Sequence, residues 1–212
     1  MSTQSQVLKF GATVLQNLPE MSEDVMQGWI ENPLALQRVL RSVLIPPRDG
    51  VELKAWKIIK LGTGPKTADD FRKAIKDCGM KISDWANSIL GRPEFRVAAG
   101  ETEVDLVKVT VAELGFKEGA TREQIYARAK ELGLEICPPE VGPQLRLQYK
   151  GQPMNEWLLI GMESVRDSDG ALHVFYVVRH ASGFWLDRHY GSPDYFWPTA
   201  YRWVFVLPRK YQ

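Results

Sequence analysis

Cysteine is nearly absent: the chain of 212 residues carries two, Cys78 and Cys137, and no CxxC pair. A zinc site built on thiolates is excluded, and reduced thiols suit a cytoplasmic protein. No uncharged apolar run approaches the roughly 20 residues that a membrane span needs. The opening residues, MSTQS, lack the basic and apolar regions of a secretion signal. Cytoplasm is therefore the expected compartment, and no membrane partner is expected. Charge of neither sign is in surplus. With 27 Lys and Arg against 26 Asp and Glu the formal net charge is +1, and the balance stays flat along the chain. A dedicated nucleic-acid binder shows a basic stripe or patch. The small basic surplus between Lys54 and Lys81 suits a solvated strand edge and helix face, so nucleic acid is disfavoured as a partner.

Motifs for chemistry are missing as well. There is no GxSxG nucleophile elbow and no HExxH metal spacing, and the GTG at residues 62–64 lacks both a third glycine and a P-loop Lys–Ser pair. The DSDG at residues 167–170 opens like a calcium loop, but Val174 stands where the closing ligand belongs and strand patterns flank it. It reads as a hairpin turn. No metal and no cofactor is expected. No repeat of fixed period and no low-complexity segment is present.

What is there is ordinary globular material. Apolar residues make up 44% and charged residues 25%, enough to bury a core without disulfide or metal staples. Helix starts are written clearly. Ser22 caps a short helix, and Asn32 with Pro33 supplies an N-cap and a first-turn proline. Thr67 with Asp70, Thr110 with Glu113, and Thr121 with Gln124 form capping boxes. Residues 46–50 (PPRDG) are the candidate linker. Residues 51–61 and 104–111 suit strands. After residue 148 most of the aromatic side chains appear, with four strands at about 155–163, 171–179, 184–190 and 201–207. Hairpin signals at 169–170 and 181–183 imply consecutive antiparallel pairing.

The expected fold is α+β. A helical N-terminal region (1–46) precedes a mixed α/β region with capped helices (51–150) and an aromatic-rich sheet (151–212). That sheet is expected to be an antiparallel meander of about four strands with the helices packed on one face.

Two groups of side chains invite a functional reading. Residues 195–197 (YFW) stand between Pro193 and Pro198, which restrict the backbone. With Trp185 and Arg188 on the neighbouring strand, Tyr195, Phe196 and Trp197 form a candidate binding surface, since Trp and Arg recur as interface anchors. The opposing reading is that the segment folds back and plugs the sheet. The second group is His180, Asp187 and His189, which could do general acid–base work. The expected function is therefore a non-enzymatic binding or interaction module with a protein or small ligand as partner. The alternative is a small hydrolase acting on RNA.

Four stretches carry a resemblance: residues 56–62 (WKIIKLG), 82–91 (ISDWANSILG), 109–116 (VTVAELGF) and 140–149 (EVGPQLRLQY). Along them the chain resembles a family of uncharacterised bacterial proteins of about this size. The resemblance implies a bacterial, cytoplasmic origin and carries no activity or catalytic residue with it.

Overall fold

The computed structural model describes residues 4–44, 53–167 and 169–209. The candidate linker at 46–50 lies outside them. The chain divides into two compact units, Met1–Pro46 and Pro47–Gln212. In the first, α1 (Gln4–Gln16), α2 (Glu23–Glu31) and α3 (Pro33–Leu44) follow one another. Ser22 caps α2 through the Val25 amide, and Asn32 accepts from the Ala35 amide at the start of α3.

The second unit is built on a mixed, curled sheet of eight strands. Its elements in chain order are β1 (Lys57–Leu61), α4 (Ala68–Asp77), β2 (Lys81–Ile82), α5 (Asp84–Leu90) and β3 (Thr102–Thr110). There follow β4 (Ala120–Thr121), α6 (Arg122–Glu131), α7 (Val141–Gln148), β5 (Trp157–Ile160), β6 (Val165–Arg166) and β7 (Leu172–His180). The last are β8 (Gly183–Tyr190), β9 (Phe196–Trp197) and β10 (Arg202–Leu207). The strand order is β1-β3-β10-β5-β7-β8-β2, with β6 also on β7, and β4 pairs with β9 in a separate ribbon. Capping boxes close the starts of α4 and α6, each with both reciprocal hydrogen bonds.

This corrects the expected four-stranded antiparallel meander under helices. The strands after residue 150 do not form a sheet of their own, because β1 and β3 join them. Nor is β10 a neighbour of β8. The connection at 191–200 carries it across the sheet to lie antiparallel to β3 and parallel to β5. A second parallel pair joins β2 to β8. Alternation along a strand tells which side chains share a face and leaves the choice of neighbour open. Helices also pack on both faces. Gly142 of α7 lies against the Phe175 ring, while Tyr126 of α6 meets Trp203 and Phe205 on the other side. Strand β7 is accordingly buried on both faces from His173 to Val178, so no single apolar face describes it.

The curl follows from α7. In the strand order β1 and β8 are five steps apart, about 24 Å in a flat sheet. Both touch α7, an eight-residue helix only about 12 Å long. The sheet must wrap the helix. Residues Val141 to Arg146 are all buried, yet the helix carries polar side chains that finish the backbone around it. The Glu140 carboxylate accepts from the amides of Gly62 (2.7 Å) and Ala98 (2.8 Å) and from the Gln144 side chain (3.0 Å). Gln144 also donates to the Thr63 carbonyl. Gln148 bonds both the N–H and the C=O of Lys60, standing in for a further strand at the β1 edge. Arg146 is fully buried and, among the described residues, makes no salt bridge. It donates to Gln152 and to the Tyr149 carbonyl and stacks on Phe184. Burial pushes its guanidinium down to about 10, against the pull of Tyr149.

Glu140→Gln keeps the shape of the side chain but turns one acceptor into a donor facing an amide N–H. It should cost about 2–3 kcal/mol in urea unfolding, the penalty of a buried unmade hydrogen bond to a charged group. A loss under about 0.5 kcal/mol would show that the carboxylate is dispensable.

Candidate binding surface

Register settles which side chains share the sheet face opposite α7. Trp157 stands beside Val178, which stands beside Trp185; Leu159 stands between Trp203 and Tyr176; and Tyr176 pairs with Asp187. On this face Trp157 lies flat on Tyr176, with centroids 5.1 Å apart and planes within 4°. His180 meets the same indole edge-on at 5.6 Å. Trp157 is nevertheless 38% exposed. It lines an open depression with Asn155, Ala200, Tyr201 and Arg202. Asn155 holds a left-handed backbone (φ 61°), which asparagine tolerates, and its amide donates to the Arg179 carbonyl.

The sequence-derived residues are distributed differently from a single patch. Phe196 and Trp197 form a two-residue strand, so their side chains point to opposite sides. Phe196 is 54% exposed over Gly119, while Trp197 is fully enclosed and belongs to the core. A Cβ at Gly119 would come within 2.6 Å of the Phe196 ring, and its φ of 111° suits glycine. Trp197 packs against His189 (4.7 Å), Tyr195 (5.0 Å) and Trp203 (5.1 Å), plugging this end of the sheet. Tyr195 is half-buried and stacks on the exposed Tyr190 at 5.3 Å. Trp185 stays on the Trp157 face, with its N–H on Ser182 and Lys81 over its ring. Arg188 points to the opposite face, against Trp85 at 4.4 Å.

His180, Asp187 and His189 share no hydrogen bond with one another. Asp187 accepts from the hydroxyls of Ser83 and Tyr176 and from the Arg188 amide. His189 accepts the Tyr190 amide on Nδ1 at 2.9 Å. Ser83 donates its amide to Leu186, so the even-numbered backbone groups of β8 face outward. The amides of Arg188 and Tyr190 belong to this outer edge beyond β2. Asp187 and His189 thus cover the N–H groups that an incoming strand would use. Burial of the Tyr176 phenol, reinforced by Asp187, pushes its ionisation well upward.

A buried pair that sequence reasoning passed over lies at the far end of β7. His173 Nε2 meets Asp167 at 2.6 Å, and Arg188 donates to Nδ1 at 3.0 Å. The Arg188 contact calls for Nδ1 as acceptor and Nε2–H toward Asp167, whereas the longer approach of Nδ1 to the His189 carbonyl (3.4 Å) would call for Nδ1–H. Burial works against the Asp167 carboxylate. The His173 bond and the amides of Ala171 and Asp169 outweigh it and hold the group below its ordinary value. The hairpin turn around residues 167–170 brings the two together, and that turn was the signal available in the sequence. Ser168 itself lies outside the described residues.

Among the described residues no helix is long and apolar enough to cross a membrane, and no group of His, Cys, Asp and Glu is arranged to hold a metal ion. Comparison with protein-family models, with curated proteins and with solved structures found no match.

Two outcomes follow from these placements. Trp197→Ala should destabilise by about 3–5 kcal/mol, as a fully buried aromatic truncation. Phe196→Ala, at the exposed position, should change stability by no more than about 1 kcal/mol, both read from urea midpoints. The second outcome concerns acid. Burial, then the Arg188 charge, holds His189 below its ordinary value, so in weak acid the unfolded chain binds more protons than the folded one. Stability is full above about pH 6.5 and falls as pH drops below it. His189→Gln should flatten the stability profile between about pH 7 and 5; an unchanged slope would contradict this role.

Proposed function

We propose that the protein is a non-enzymatic, cytoplasmic binding module whose binding surface is the aromatic shelf of the large sheet. Trp157 is its centre, with Tyr201 beside it, Trp185 one strand further along beyond Val178, and Asn155 and Arg202 at its rim. The observation that carries this reading is that Trp157 lies stacked on the buried Tyr176 while more than a third of it faces solvent. A pre-ordered aromatic ring loses little conformational freedom on binding. Exposed aromatic groups with polar neighbours are what small-ligand sites use.

Commitment of the titratable side chains supports a non-catalytic reading. Asp187 and His189 each spend acceptor capacity on the backbone of their own strand. Free thiols at the exposed Cys78 and buried Cys137 suit a reducing compartment.

A fragment screen by NMR tests the proposal, following indole N–H signals of a chain labelled at tryptophan. Fragments should perturb Trp157 and Trp185 and leave the enclosed Trp197 unmoved. Trp157→Ala should abolish these contacts at a stability cost of about 1–2 kcal/mol. Hits that bypass Trp157 altogether would overturn the assignment.

A further inference from the structure

We infer that the Arg122 guanidinium anchors a second binding site, which takes a small monocarboxylate where the start of α6 meets the loops at 162–164 and 191–195. The site is separate from the aromatic shelf and does not rest on it.

Arg122 carries a charge that nothing around it balances. It opens α6, the end at which the helix dipole disfavours a cation. It is only 8% exposed, and its Nε has no hydrogen-bond partner. Among the described residues no carboxylate forms an ion pair with it. The guanidinium lies over the Tyr126 ring, 4.7 Å from its centroid. Burial pushes the ionisation of the Tyr126 phenol upward, and the Arg122 charge and donor pull it back. That phenol is neutral, however, and gives its own proton to the Met162 carbonyl at 2.8 Å. Arg146, also buried, is by contrast met by the Gln152 side chain and by the carbonyls of Tyr149 and Val178. A buried charge is costly until an opposite charge meets it, so the partner that Arg122 calls for is an anion.

The surroundings narrow the anion. The amides of Arg122 and Glu123 donate to the carbonyls of Tyr195 and Pro193, and that of Gln124 to the Thr121 hydroxyl. Ser164 donates to the Gly191 carbonyl. The first-turn amides are thus spent, and the guanidinium fork is the group left to hold a ligand. Three exposed carboxylates belong to the same segments: Glu123, Glu163 and Asp194. Glu163 is close enough to act on the Tyr126 phenol. This negative charge repels a phosphate dianion or a nucleic acid far more than it repels a single charge. A carboxylate carries one charge and matches the planar fork with two parallel hydrogen bonds. The small opening onto Arg122 admits such a group end-on.

The test is an NMR titration of the full chain, following the Arg122 Nε–H signal at constant ionic strength with chloride as the background anion. The probes are acetate, benzoate and inorganic phosphate. At least one of the two carboxylates should shift the signal saturably, with a Kd of about 1 mM or tighter, and phosphate should bind at least about tenfold more weakly. The same carboxylate should raise the urea midpoint of the native chain and leave that of Arg122→Gln unmoved. Glu163→Gln, at an exposed position, should tighten carboxylate binding by removing a neighbouring negative charge. No saturable shift with either carboxylate overturns the site. Phosphate binding more tightly than both overturns the monocarboxylate class. A Glu163→Gln chain whose urea midpoint falls as far as that of Arg122→Gln also overturns the proposal, because Glu163 would then be the counter-ion.

Discussion

A buried helix that carries its own polar groups is the constraint on which this architecture depends. Helix α7 sits inside the sheet, where water cannot satisfy stray backbone groups. Its side chains do so instead. Glu140 reaches two amides from separate loops, Gln148 closes the outer edge of β1, and Arg146 gathers the chain just beyond the helix. Such groups are costly unless all are met, so they specify one arrangement. At Gly62 the fit is tight: a Cβ there would stand 2.2 Å from the Gly100 carbonyl oxygen. Only glycine lets that amide reach Glu140.

The crossing of residues 191–200 has a consequence on the opposite face. It puts β10 between β3 and β5, and the parallel pairing sets the start of β10 alongside the start of β5. Tyr201 and Trp157 thereby line one depression, although 44 positions separate them. Beneath them Trp197 and Trp203 fill the space against α6. The core immediately below the shelf is thus aromatic and packed.

The features that proved legible are the local ones. Caps at Ser22, Asn32, Thr67 and Thr121 needed only three or four residues of context, and each marks a real helix start. Strands β7, β8 and β10 also stand where β-branched and aromatic runs put them. Sheet order was not legible, because nothing in residues 191–200 encodes how far the chain crosses before it pairs again. The same limit hid the shelf. Trp157 and Tyr201 become neighbours only through a parallel pairing that periodicity cannot express. The YFW segment was half legible: alternation in a strand separates Phe196 from Trp197, but the choice of which faces inward belongs to Gly119, against which Phe196 lies. The sequence did not single out Glu140 and Gln148, since a buried polar side chain and an exposed one have the same letter.

Native-state hydrogen exchange at the amides of Gly62 and Ala98 tests the central claim most directly. Both lie outside helices and within loops, where exchange is ordinarily governed by local fluctuation. If the Glu140 carboxylate ties them to α7, they should exchange only through opening of the whole sheet, at the free energy of core amides such as Val177 and Phe205. Exchange of both at the rate of freely solvated loop amides would contradict the account.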